Sequence, residues 1–235
     1  MTLKWQMAIT TCRQRVELCD RTIQSLYDAG FLFSTSSRDA GKVSANCYFQ
    51  RIGYNDGEVR YDYLHDHRVG AFGNWLLTAW ELYLSDRHAD RYAIFQDDIR
   101  ASKNLREYLE TTITPEKSYQ NLILYPANYV QGTEAGSWYP APRIGQGAQG
   151  LVFSNVAMKA LLKSPFFVEY AATPNCVDGI DGTINAVMAE AGFTEYVHYP
   201  SLLDHVDSPS TLGHPPQPKI DSFRGEQFDL LELQR

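Results

Sequence analysis

Tyr92-Ala93-Ile94-Phe95-Gln96-Asp97-Asp98-Ile99 is an apolar run that ends in two adjacent carboxylates. Such a run is the pattern of a strand buried on both faces, as in a parallel sheet with helices on either side. Open sheets of this kind bind ligands at the C-terminal ends of their strands, which is where Asp97 and Asp98 are delivered. Hard divalent cations take carboxylate oxygens. Mg²⁺ or Mn²⁺ held by one or two carboxylates completes its shell with water and substrate phosphate. Taken alone, an Asp-Asp pair is more often a capping or solvated turn.

Outward from this strand, strands and helices alternate. Residues 5–10, WQMAIT, form a short apolar strand ending at Thr10 and Thr11, either of which can cap a following helix. Val16, Cys19, Ile23 and Leu26 recur at steps of three and four, and Gly30 stands where that helix closes in a left-handed residue. FLFSTS, residues 31–36, reads as a second strand. Residues 38–67 are rich in Gly, Asn, Asp and Tyr and read as a loop, with a hairpin turn at Asn55-Asp56-Gly57. Val69, Phe72, Leu76, Trp80 and Tyr83 share one helical face, interrupted by Gly73 and Asn74, and Trp75 and Trp80 are expected in the core.

A polar helix is expected over residues 102–110, a strand over 122–125 and a long Gly-, Pro- and aromatic-rich loop over 128–150. A strand at 151–153 then runs into a helix starting at Ser154 or Asn155. Asp178-Gly179-Ile180-Asp181-Gly182-Thr183 opens another helix with Asp181 as its N-cap, closed by Gly192. Residues 196–199 make a last strand. The alternation predicts an α/β fold: a Rossmann-like, mostly parallel central sheet flanked by helices. One domain is expected over residues 1–235, with a Pro-rich C-terminal tail from about 206.

The 235 residues are 44% hydrophobic and 21% charged, a composition that argues against a disordered or fibrous chain. Lys+Arg 21 against Asp+Glu 28 leaves a formal charge of −7, so no global basic field attracts nucleic acid or an anionic membrane. No stretch approaches the roughly 20 apolar residues of a bilayer-spanning helix, and the first residues lack a signal-peptide core. A cytoplasmic protein is expected. Cys12, Cys19, Cys47 and Cys176 form no CxxC pair, which points to reduced thiols rather than a zinc cage or disulfide framework.

Several short motifs occur in a telling order. Thr10-Thr11-Cys12-Arg13 ends the first strand, Gly73-Asn74-Trp75 lies in a helix, and Phe95-Gln96-Asp97-Asp98 follows. Further on come Gly147-Ala148-Gln149-Gly150-Leu151-Val152-Phe153-Ser154, then Tyr199-Pro200-Ser201-Leu202-Leu203-Asp204-His205 and Ser210-Thr211-Leu212-Gly213. Together, over residues 6–213, they resemble sugar-nucleotide-dependent glycosyltransferases of the GT-A fold. The closing motifs are similar to those of bacterial or phage members.

The resemblance implies a hexosyltransferase using a nucleotide-diphosphate sugar, a uridine one by family, with Mn²⁺ or Mg²⁺. Asp98 would bind the ion directly, and Asp97 would bind it through water or hold the ribose. Gln96 stands where an acid is often found. His205 matches a late histidine that supplies a metal ligand or diphosphate contact, with His214 as a weaker substitute, although a histidine beside a buried strand is as often structural. Thr10, Thr11 and Arg13 would contact the nucleoside and diphosphate, Arg13 being equally readable as a surface charge. Asn74 is a poor helix former in a helix interior, a conflict that fits a binding role or an amide bonded to the core.

Asp178 and Asp181 take the place of the catalytic base of inverting members, which removes the proton of the attacking hydroxyl. A purely capping Asp181 needs no such chemistry. Trp138 and Tyr139 are candidates for stacking an acceptor sugar. The acceptor that the resemblance leads us to expect is a glycan or another biomolecule carrying a hydroxyl. A phage-type transferase acting on a hydroxymethylated DNA base is an alternative, as are a non-catalytic carbohydrate-binding protein and a metal-dependent nucleotidyltransferase or phosphoesterase.

Overall fold

A computed structural model describes residues 3–11, 15–31, 47–52, 70–142, 145–171, 179–206 and 219–234. Strand β1 (Trp5–Thr10) leads to helix α1 (Val16–Asp28), which closes at Gly30 with φ 93°. The N-cap is Arg15, with no side-chain capping bond, so neither Thr10 nor Thr11 caps this helix. Strand β2 (Cys47–Ile52) falls inside the segment read as a loop. Phe31 is not in a strand, and the rest of the FLFSTS run and the hairpin turn at residues 55–57 lie outside the described residues.

Helix α2 (Gly70–Ser85) buries Phe72, Trp75, Leu76, Ala79 and Leu82 at steps of one and three. Strand β3 (Arg91–Gln96) follows, then the turn Asp97-Asp98 and the short strand β4 (Ile99–Ala101). The polar helix is α3 (Leu105–Thr111), and strand β5 (Ser118–Asn121) comes four residues before the position expected from the apolar run 122–125. Strand β6 (Ser137–Pro140) crosses the long loop. Strand β7 (Gly150–Ser154) runs into α4 (Asn155–Lys163), whose N-cap is Ser154. Helices α5 (Pro165–Ala171) and α6 (Ile180–Glu190), then strands β8 (Thr194–Tyr199) and β9 (Leu203–His205), complete the order.

The main sheet has seven strands in the order β2-β1-β3-β7-β5-β8-β6. β2, β1, β3, β5 and β8 run one way, and β7 and β6 run against them. Side chains alternate between two apolar layers, as period-two strands require. Trp5, Met7, Ile9, Ala93, Phe95 and Val152 face α1, α3 and the 219–234 segment. Ala8, Tyr92, Ile94, Leu151 and Phe153 face α2, α4, α5 and α6.

β4 leaves this sheet and pairs antiparallel with β9. The tail beyond 206 is not featureless: Ile220 and Leu230 are buried in the first layer, and Asp229 bridges to Lys103. No helix among the described residues is long and apolar enough to cross a membrane.

Candidate functional site

β1 and β3 are parallel neighbours with Thr10 opposite Gln96, so their C-terminal ends open on one edge of the sheet. β7 runs against β3 with Gly150 opposite Phe95, which brings the preceding residues 145–149 to that same edge. Asp97 and Asp98 occupy the turn where the chain passes from the main sheet into the small one. Pairing of β4 with β9 sets His205 opposite Ile99, and Val206 N–H donates to the Asp98 carbonyl at 2.7 Å. Two carboxylates and a histidine separated by more than a hundred residues are thereby assembled.

The acidic pair is buried. Asp97 Oδ2 accepts from Thr11 Oγ1 at 2.7 Å and its Oδ1 from Arg15 Nε at 2.8 Å. Asp98 Oδ2 accepts from Arg15 Nη2 and lies 3.0 Å from His205 Nε2. Asp98 Oδ1 is buried and has no hydrogen-bond partner among the described residues.

Burial pushes Asp97 up to about 6 against the opposing pull of Arg15 and Thr11. Burial acts on Asp98 in the same sense, but hydrogen bonding and charge from His205 and Arg15 win, and its carboxyl is held below the ordinary range. Burial would lower the Arg15 guanidinium, and the two aspartates raise it instead.

A carboxylate with one oxygen beside an imidazole nitrogen and the other buried without a partner among the described residues fits a hard divalent cation that takes most of its shell from water and substrate. Asp98 and His205 supply that donor set. Among the described residues no group of three or more His, Cys, Asp and Glu side chains stands at metal-ligand spacing.

Asn74 reaches from α2 to the Thr11 carbonyl, Nδ2 to O 3.4 Å, and its Oδ1 is buried without a partner among the described residues. Thr10 Oγ1 donates to the Phe95 carbonyl at 3.2 Å, tying β1 to β3. Arg13, Asp178 and His214 lie outside the described residues.

Asp181 is not the N-cap of α6. That position is Gly179, at φ 95°, and Asp181 lies in the first turn. Its Oδ2 accepts from Gly147 N–H at 2.8 Å and its Oδ1 from Gly182 N–H at 3.0 Å. Gly145 is in the left-handed region at φ 62°, and a Cβ there would meet Gly182 Cα at 2.5 Å. The 145–147 loop is therefore seated directly on the start of α6, because glycine alone permits this approach. Beneath it Asn121 Nδ2 donates to the carbonyls of Gln146 and Gly147 and to Glu195 Oε1, and Asn185 Nδ2 donates to Glu195 Oε2 at 3.0 Å.

Tyr125 joins the two acidic places. Its ring packs on Gly147, where a Cβ would meet Cε2 at 2.4 Å, and its buried hydroxyl has no hydrogen-bond partner among the described residues. Burial raises its phenol, and the charges of Asp98, Asp181 and Asp204 add to the rise.

Arg15 and Tyr125 were not singled out from sequence. A cation opposes the dipole at the start of a helix, and that conflict was the available signal for Arg15. Trp138 is half-buried, its ring edge-on to His198 at 5.0 Å and packed on one side against the core, and Tyr139, also half-buried, donates its hydroxyl to the Asn128 carbonyl.

No protein-family model matches the chain. No curated protein matches it either. Solved structures match by fold. A structure of GalNAc-T7 with UDP, GalNAc and Mn²⁺ superposes with a TM-score of 0.56 at 12% identity, covering 91% of this chain and 45% of that one. A mannose-1-phosphate geranyltransferase from Thermus thermophilus gives 0.47 at 15% identity, over 84% of this chain and 74% of that one. The apo-form glycosyltransferase GlyE of Streptococcus pneumoniae gives 0.46 at 10% identity, over 83% and 45%. The chain thus spans less than half the length of two of these neighbours. What the likeness to GalNAc-T7 establishes is architecture: this chain has a GT-A-like α/β fold.

Proposed function

We propose that the protein transfers a sugar from a nucleotide-diphosphate sugar, a uridine one, to the hydroxyl of a glycan or other biomolecule. The observation that carries this reading is the convergence of Asp97, Asp98 and His205 at the C-terminal end of β3, with one buried Asp98 oxygen left without a partner. The GalNAc-T7 neighbour holds UDP, GalNAc and Mn²⁺ in its structure, which supports looking for the same classes of ligand here.

Mn²⁺ or Mg²⁺ would be held by Asp98 and His205 and would neutralise the charge that develops on the departing diphosphate. Thr10, Thr11, Asn74 and Asp97 are the proposed donor-binding residues around it, with Arg13 alongside in sequence. Asp181 is the proposed base, with Asp178 three residues before it in the chain. It accepts a proton from the acceptor hydroxyl as that oxygen attacks the anomeric carbon. Its two backbone hydrogen bonds fix the carboxylate at the loop edge without a side-chain partner among them.

The test is thermal stability with and without Mn²⁺ against a panel of nucleotide sugars. A ligand that binds only the folded state adds about 2.7 kcal/mol at about 100 times its Kd. A Mn²⁺-dependent rise is expected with uridine diphosphate sugars, and Asp98→Ala should abolish it. Folded protein that gains no stability from any nucleotide sugar overturns the reading.

A further inference from the structure

We propose that Arg15 is a built-in counter-cation of the acidic pair, which a divalent cation must displace from Asp98 in order to bind. The inference rests on the metal reading above and deepens it.

Asp97 and Asp98 are 4% and 5% exposed. Two adjacent carboxylates cannot both stay ionised away from water without a cation to compensate them. The chain supplies one in Arg15, whose planar guanidinium forks across the pair, Nε to Asp97 Oδ1 at 2.8 Å and Nη2 to Asp98 Oδ2. The location is otherwise a poor one for a cation. Arg15 directly precedes α1, where the helix dipole opposes positive charge, and its side chain is only 11% exposed. The carboxylates are what hold it there.

The compensation is uneven. Both Asp97 oxygens are served, one by Thr11 and one by Arg15. On Asp98 the partners crowd onto Oδ2, which faces both Arg15 and His205, while Oδ1 is buried with none. The unserved oxygen thus belongs to the carboxylate that Arg15 reaches with its terminal nitrogen. A divalent ion taken by Asp98 would share that carboxylate with Nη2, setting two cations against one anion. Rotation of the guanidinium about the retained Nε bond to Asp97 relieves this. In the absence of metal the same guanidinium keeps the pair compact.

The test is Mn²⁺ affinity of the purified protein without nucleotide, from the electron paramagnetic resonance signal of the free ion. Wild type is compared with Arg15→Lys and Arg15→Gln. Affinity is expected to rise in the order wild type, Arg15→Lys, Arg15→Gln, by about tenfold end to end, because the competing charge is first reduced to a point contact and then removed. Binding seen only in the variants is the same result in a stronger form.

Wild-type binding that the variants match or fall below overturns the proposal and makes Arg15 a structural pairing only. No binding in wild type or either variant, with uridine diphosphate then added as well as without it, overturns the metal reading and this proposal with it. If Arg15→Gln does not fold by circular dichroism, Arg15→Lys against wild type decides by the same criteria.

Discussion

Asp181 shows how a side chain can be held by backbone N–H groups. Gly147 and Gly182 each donate an N–H to it, so its orientation is inherited from the loop and the first turn of α6. Asp181→Asn keeps an oxygen that can accept from Gly147 and removes the basicity. Turnover should fall by about 10²- to 10⁴-fold with nucleotide-sugar binding retained, as read by steady-state kinetics beside a binding titration. Unchanged turnover would remove Asp181 from the chemistry. Asp97, Asp98 and His205 were legible in sequence because a strand end is a known place for ligands and the motif order marked the late histidine. Arg15 was not. Arg13 and Arg15 are chemically identical two positions apart, and only the path of the chain into α1 shows that Arg15 meets the acids.

The 145–147 loop and α6 form one unit through glycine. Gly145 combines positive φ with a Cβ position blocked by the Gly182 backbone, whereas Gly192, at φ 79°, has nothing within 4 Å of its Cβ position. Gly145→Ala should lower stability by about 2 kcal/mol or more, and Tm by roughly 4–8 °C, with Gly192→Ala paying only the smaller conformational term. Equal losses in differential scanning calorimetry would mean that contact with α6 does not matter. Sequence pattern departs from the structure at β5 as well as at β2. Ser118–Asn121 is a strand of polar and aromatic residues, all buried, because Asn121 serves the loop carbonyls and Tyr119 stacks on Phe153. Hydrophobic pattern places the strand in Leu122–Tyr125 instead. Leu122 keeps one ladder bond to Gly150, after which its carbonyl turns to Leu202 and Leu203. The apolar run marks burial there but not the hydrogen-bond ladder, since pattern reports apolar area and not which backbone groups pair.

At the scale of the molecule, two buried titrating groups give stability opposite dependences on pH. Burial pushes Glu195 from 4.5 up to about 7, with Asn121 and Asn185 opposing. The folded state therefore holds a proton that the unfolded chain has released, and this contribution is full below pH 4.5 and lost as pH rises to about 7. Burial drives His198 from 6.5 down to about 4, so its contribution is instead lost as pH falls through that range. Between wild type and Glu195→Gln the stability difference should shift by roughly 3 kcal/mol from pH 4.5 to 7, with wild type losing ground as pH rises. Urea denaturation at several pH values measures it, and a difference independent of pH would mean that Glu195 does not titrate there. The alternation of strands and helices was sufficient to specify the α/β class, but the reversal of β7 was not, because period-two burial is identical for a strand run in either direction. That reversal has a kinetic side. β7 is bonded on one edge to β3 and on the other to β5, so it can leave only when both ladders break together. Its amide protons should be among the last to exchange with deuterium, and the opening that releases them should be the unfolding of the whole sheet.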